Sequence, residues 1–124
     1  LYHHPTTRPG ARVAHARLER AGVATSTINL VDGLSFSLLT GRDDAAWVDA
    51  ADTVSRELGV AIGVHRIGGD EVRDPHGDWA RVREIGDDGC ILVRPDRHVG
   101  WRSLGGHDNP RGELLRVMRV ILAR

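Results

Sequence analysis

The spacing of apolar and polar positions changes along this chain, and each change marks an element. Leu34–Leu39 and Val60–His65 are short runs of large and β-branched apolar residues, which predict strands. Val60–His65 is almost continuously apolar, so burial on both sheet faces is expected. Between these runs, Trp47, Ala51, Val54 and Leu58 recur at spacings of three and four, placing them on one face of a helix over Asp44–Leu58. Asp43 stands where a cap is needed and Gly59 where a stop is needed. Thr25–Leu30 predicts a further, edge-like strand, with Asp32-Gly33 as the turn into Leu34.

The second half continues in the same way. Trp79–Ile85 predicts a short helix capped by Asp78. Cys90–Arg94 and His98–Arg102 predict a hairpin, because Pro95 presets a turn-compatible φ before Asp96. After the polar connector Ser103–Asp108, Asn109 can cap a helix with Pro110 at its first position. Leu114, Leu115, Met118, Ile121 and Leu122 then form an apolar face that should pack on the sheet. The order β-β-α-β-α-β-β-α belongs to the α/β class, a central mixed sheet flanked by helices. Upstream, Pro5, Pro9 and Gly10 oppose a regular element. Residues 1–24 are therefore expected to be an extended N-terminal arm or interdomain linker, with Ala11–Ala21 lying on another surface, and residues 25–124 the folded domain.

Composition narrows the function classes. The 124 residues suffice for one modest domain, and 40% hydrophobic content suffices for a core. Seventeen basic and seventeen acidic residues balance, which gives no support to binding of nucleic acid or an anionic membrane. No run approaches the roughly 20 apolar residues that span a bilayer. A single cysteine cannot form an internal disulfide and suits a cytoplasmic setting. The start at Leu1-Tyr2, rather than at methionine, is consistent with a fragment of a longer chain.

Candidate chemistry is sparse. The seven histidines, His3, His4, His15, His65, His76, His98 and His107, follow no zinc-ligand spacing. His65 and His98 are the pair that neighbouring strands could bring together. Asp43-Asp44 and Asp87-Asp88 are adjacent in sequence, so on extended backbone they point apart, and capping or turn roles explain them. Ser26, Ser35 and Ser37 lack the surroundings of a nucleophile elbow. Arg94 and Asp96 bracket Pro95, and an ion pair fixing the hairpin is the leading reading, with ligand recognition second. Trp101 should pack its ring while its N–H reaches a partner. Cys90, inside the apolar CILV run, reads first as a buried structural thiol.

From Leu34 onward the strand-helix-strand and β-β-α units resemble a thioredoxin-like fold. A redox-active member carries Cys-x-x-Cys near the start of its first helix. Here that stretch, Thr40–Trp47, has no cysteine, and dithiol exchange needs two thiols. Gly86–Gly89 stands where catalytic members place a proline. A narrower resemblance lies in PGAR at Pro9–Arg12, His15, STINL at Ser26–Leu30, FSLLTG at Phe36–Gly41 and LVRPDRHVGWR at Leu92–Arg102. Together these resemble the C-terminal region of FAD-dependent aromatic-ring hydroxylases of the phenol and polyketide hydroxylase type. Ala14 and Arg17 depart from the proline and tryptophan usual around the early histidine.

That resemblance implies a noncatalytic domain in a parent enzyme that hydroxylates aromatic substrates with FAD and NAD(P)H. No catalytic, cofactor-binding or metal-binding residue is expected in this segment. The resemblance makes Arg12, His15, Arg94, Asp96 and Trp101 the candidate structural or interface residues. Its implied partners are the N-terminal FAD and substrate domains. The helix faces can bury against their own sheet or a second copy, so a homodimer stays open. A freestanding small-molecule or protein-interaction module is the alternative. An autonomous thiol oxidoreductase is a third reading, opposed by the solitary Cys90.

Overall fold

Four strands and two long helices build the centre of the molecule, seen in a computed structural model that describes residues 6–124. His3 and His4 lie outside the described residues. The strands are β3 (Phe36–Thr40), β4 (Ile62–Arg66), β6 (Cys90–Val93) and β7 (Val99–Ser103), in the spatial order β4-β3-β6-β7. β3 runs parallel to β4 and antiparallel to β6, and β6 pairs antiparallel with β7. This mixed sheet, flanked by α2 (Ala45–Leu58) and α4 (Pro110–Leu122), is the thioredoxin-like arrangement, without a Cys-x-x-Cys pair. Among the described residues, no helix is long and apolar enough to cross a membrane.

Side-chain alternation along the inner strands divides the core in two. Phe36, Leu38, Cys90 and Leu92 face α2 and α4, where they meet Trp47, Val54, Leu114, Val117 and Met118. Leu39, Ile91 and Val93 face the other way, toward Val13, Leu18, Leu30, Ile67, Val72 and Trp79. That second layer includes a small sheet of β1 (Arg17–Arg20), β2 (Val23–Ser26) and β5 (Val72–Arg73), in the order β2-β1-β5. It also includes α1 (Thr27–Leu30) and α3 (Asp78–Val82).

Several elements differ from their sequence-based expectation. Ala11–Ala21 is not simply a linker on another surface: it contains β1, and Ala16 and Leu18 are buried in this domain's own core. The β1–β2 turn is Ala21-Gly22, with φ +52° and +76°, the left-handed pair that a two-residue hairpin of this kind requires. Alanine in that role gives little sequence signal. The strand expected over Thr25–Leu30 stops at Ser26, whose side chain accepts a hydrogen bond from the Asn29 N–H and caps α1. Thr27 Oγ1 donates to the Ala14 carbonyl at 2.6 Å and accepts from the Ala16 N–H at 3.0 Å. These bonds to distant residues outweigh the strand preference of Thr27 and Ile28. Asp32-Gly33 still turns the chain, with Asp32 accepting from the Leu34 and Ser35 N–H groups, but it does not join a hairpin.

β4 is an edge strand and is only half-buried, because its neighbours cover one side alone. Asp44, rather than Asp43, stands at the N-cap position of α2, without a side-chain capping bond, and Gly59 ends the helix at φ +66°. α3 starts at Asp78 after Gly77 and stops at Val82, short of Ile85. In the β6–β7 hairpin, Arg97 takes φ +65°, which closes a three-residue loop over Pro95–Arg97. α4 begins at Pro110, and Asn109 accepts from the Gly112 N–H at 3.1 Å.

Candidate functional site

The start of α2 is where this fold would carry redox thiols, and here it holds a carboxylate. Thr40, at the end of β3, donates from Oγ1 to Asp44 Oδ2 at 2.8 Å. Arg66, at the end of parallel β4, donates from Nε and Nη2 to Asp44 Oδ1 at 2.9 and 2.6 Å. Register explains the meeting, since Thr40 and Arg66 are direct partners across β3 and β4. The Asp44 side chain is 1% exposed, while Arg66 reaches solvent. Its hydrogen bond to Asp44, and then the Asp44 charge, hold the Arg66 guanidinium above its ordinary pKa.

The turn into α2 is also closed against its neighbour. The Asp43 N–H donates to the Asp87 carbonyl at 2.9 Å. A Cβ added at Gly41 would come within 2.5 Å of that same carbonyl oxygen, so only glycine allows the approach. Cys90 lies on β6 with no exposed surface, and burial pushes its thiol up to about 12. A thiol so far from ionisation is a poor nucleophile at neutral pH.

The β6–β7 hairpin gathers part of the sequence-selected set. Arg94 donates to both Asp96 oxygens, at 3.2 and 2.9 Å, and the His98 N–H donates to Asp96 Oδ1 at 3.0 Å. The hydrogen bond from Arg94, then the one from His98, hold the Asp96 carboxyl below its ordinary range. Arg12 bridges to His98 as an isolated β-contact, so the arm runs beside the first residues of β7. Arg97 donates from Nε to the Val31 carbonyl at 3.1 Å, which ties the strained loop residue to the far layer. Arg12 and His15 share a shallow groove of about 310 Å³ with Ala11, Val13, Ala14 and Ile28. Trp101 is not part of this face. It packs edge-on against Trp47, centroids 5.7 Å apart, on the helical side of the sheet. The indole of Trp47, not Trp101, finds the partner, donating to the Asp88 carbonyl at 2.8 Å.

His65 and His98 sit on opposite edges of the four-stranded sheet and do not meet. No group of three metal-ligating side chains occurs among the described residues. Besides the Thr40–Asp44–Arg66 cluster, two further polar clusters escaped the sequence reading. Glu84, at φ +59°, accepts from Thr6, Thr7 and Arg102, which fastens the arm to β7. Asp78 accepts a two-pronged contact from Arg17 at 2.7 and 3.0 Å and a further bond from Arg81. The bonds from the arm and β1 to Glu84 and Asp78 span 61 to 78 residues, and no local motif announces them.

Comparison with known proteins places this geometry. Residues 6–124 match the family model for the aromatic-ring hydroxylase C-terminal region. The chain is 46% identical over 127 aligned residues to 2,4-dichlorophenol 6-monooxygenase of Cupriavidus pinatubonensis, covering 100% of this chain and 21% of that protein. It is 40% identical over 123 residues to tetracenomycin A2 monooxygenase-dioxygenase of Streptomyces glaucescens, covering 98% and 22%. The solved structure of the flavin-dependent monooxygenase PieE, in complex with FAD and substrate, superposes with a TM-score of 0.92 at 43% identity, covering 99% and 21%. The chain therefore spans about a fifth of the length of the proteins it matches. It belongs to the family of C-terminal domains of FAD-dependent aromatic-ring hydroxylases.

Proposed function

We propose that this chain is the noncatalytic C-terminal module of a flavin-dependent aromatic hydroxylase, serving contacts between domains or subunits. The whole enzyme would hydroxylate aromatic substrates with FAD and NAD(P)H, in a cytoplasmic setting. The observation that carries the reading is the Thr40–Asp44–Arg66 cluster at the start of α2. It fills with a satisfied carboxylate the position where this fold would need an attacking thiolate.

The residues present do not fit FAD. A dinucleotide pyrophosphate sits on free N–H groups at a helix start, favoured by the positive end of the helix dipole. Here α2 starts with the Asp44 carboxylate, and the preceding Asp43 N–H is already given to Asp87. The first turn of α4 carries Glu113, and Asn109 takes its Gly112 N–H. Both sites would repel or exclude a phosphate. The flavin belongs, in this reading, to the N-terminal domains of the parent enzyme.

The arm from Thr6 to His15 would run along the junction with those domains. Exposed Arg12, His15 and Ile28 around the arm groove support that placement. A homodimer is the other arrangement that would use the same exposed groups. The purified chain should retain no FAD, oxidise no NAD(P)H with a phenol and reduce no insulin disulfide. Robust turnover in either assay would overturn the noncatalytic reading.

A further inference from the structure

The two edges of the four-stranded sheet are finished differently. At β7 the arm closes the edge. The Gly10 N–H donates to the Val99 carbonyl, the Val99 N–H to the Ala11 carbonyl and the Val13 N–H to the Arg97 carbonyl, each at 2.8 Å. β4 carries no such cover among the described residues. The Ile67 N–H donates back to the Thr40 carbonyl of β3 at 3.0 Å, and backbone groups alternate in direction along a strand. Gly63 and His65 therefore direct their backbone groups to β3, whereas Ile62, Val64 and Arg66 turn theirs outward.

An open edge is a template for another strand, and proteins commonly blunt one with a proline, a bulge or a charge set across it. β4 has neither proline nor bulge, and its one arginine, Arg66, is folded onto Asp44. Beside it, Val48 of α2 is 41% exposed and shares a groove of about 370 Å³ with half-buried Val64. Asp70 and Glu71 stand exposed on the rim of that groove and, among the described residues, enter no ion pair.

We propose that β4 is a docking edge for a second copy of this chain, paired antiparallel about a two-fold axis through Val64. That register is self-complementary. Val64 exchanges both backbone bonds with Val64 of the second copy, and Ile62 does so with Arg66, so each outward group finds a partner. On the opposite face Gly63 stands across from His65, and glycine in a strand suits such a close approach. Val48, beside Val64, meets its counterpart across the axis and closes apolar surface over the joined strands. Antiparallel pairing also brings Asp70 and Glu71, past the end of one β4, toward the start of the other. There exposed Arg124 donates to the Leu58 carbonyl at 3.0 Å. Asp52 near that end is already held by Arg56, and Glu57 lies half a turn round α2 from Val48. This deepens the subunit-contact reading above and leaves the arm groove to the upstream domains.

Sedimentation velocity on the 124-residue chain should show a reversible monomer–dimer equilibrium. Val48→Glu sets like charges against each other at the axis and should weaken the dimer about tenfold or more, with an unchanged circular dichroism spectrum. Val120→Glu, at an exposed apolar position on α4, should dimerise as wild type does. Amide hydrogen exchange should slow on dimerisation at Ile62, Val64 and Arg66. A monomer at every concentration, a dimer undiminished in Val48→Glu, or unchanged exchange at those three amides would overturn the proposal. A monomer that retains no FAD sinks this contact and leaves the noncatalytic reading standing, whereas aromatic turnover by a dimeric chain does the reverse.

Discussion

The two faces of the four-stranded sheet are covered in different ways. One face is covered by α2 and α4, two long helices whose apolar stripes repeat within themselves. The other is covered by short pieces drawn from the arm, α1, β5 and α3, which become a layer only when assembled. Helical cover is specified locally, because one amphipathic segment both forms and buries its own stripe. Patchwork cover depends on contacts between distant residues, and its polar clusters, Thr7–Glu84–Arg102 and Arg17–Asp78, hold the pieces in place.

Removing Asn109–Arg124 should produce the largest effect. It uncovers the helical face, where Leu114 and Met118 have no exposed surface, and circular dichroism should show no cooperative melt. An unchanged melt would mean that α4 is dispensable. Milder substitutions compare the faces directly. Leu114→Ala on the helical side and Ile91→Ala on the patchwork side should each lower unfolding free energy by about 2–5 kcal/mol in urea titrations. A much smaller loss for Ile91→Ala would show that the patchwork layer is not part of the same cooperative core.

Asp44→Ala should destabilise the chain by about 1–3 kcal/mol, since it leaves Thr40 and Arg66 without their buried acceptor. Asp96→Ala, which breaks the solvent-exposed pair with Arg94, should lower the Tm less than Asp44→Ala does. A reversed order would show that the hairpin pair matters more than the α2 cluster.

The smallest effect concerns the arm. Hydrogen bonds from Thr6, then from Thr7, with Arg102 adding another, hold the Glu84 carboxyl down to about 2, against an ordinary 4.5. Stability from this latch is complete above pH 4.5 and is lost as the pH falls through about 2. Thermal melts of wild type and Glu84→Gln should differ at neutral pH and converge in acid. Parallel curves across that range would show that the latch contributes nothing to the folded state.

Much of the helical half was legible from residues alone. Trp47, Ala51, Val54 and Leu58 mark α2, and Asn109-Pro110 marks the start of α4. The Cys90–Val93 and Val99–Ser103 strands likewise follow from an apolar run and a proline turn. The patchwork half was not legible. β1 shows one buried residue among charges, its turn uses alanine where glycine or asparagine would signal, and Thr27 turns helical to bond Ala14 and Ala16. Of the selected site residues, Arg94 and Asp96 meet across a two-residue separation. Arg12 reaches their hairpin only through the sheet edge, and Trp101 lies on the other face.

The sequence by itself determined the order of the four-stranded sheet and its two long helices, the absence of a thiol pair, and the Gly59 and Asn109 caps, because each depends on neighbours a few residues away. Tertiary structure alone decided that Asp44 is buried between Thr40 and Arg66, that the arm is fastened through Glu84, and that Arg17 and Asp78 pair across the small sheet and α3. Those arrangements depend on strand register and on loops that meet across the fold. Their energies come from hydrogen bonds whose partners only the folded chain brings within reach.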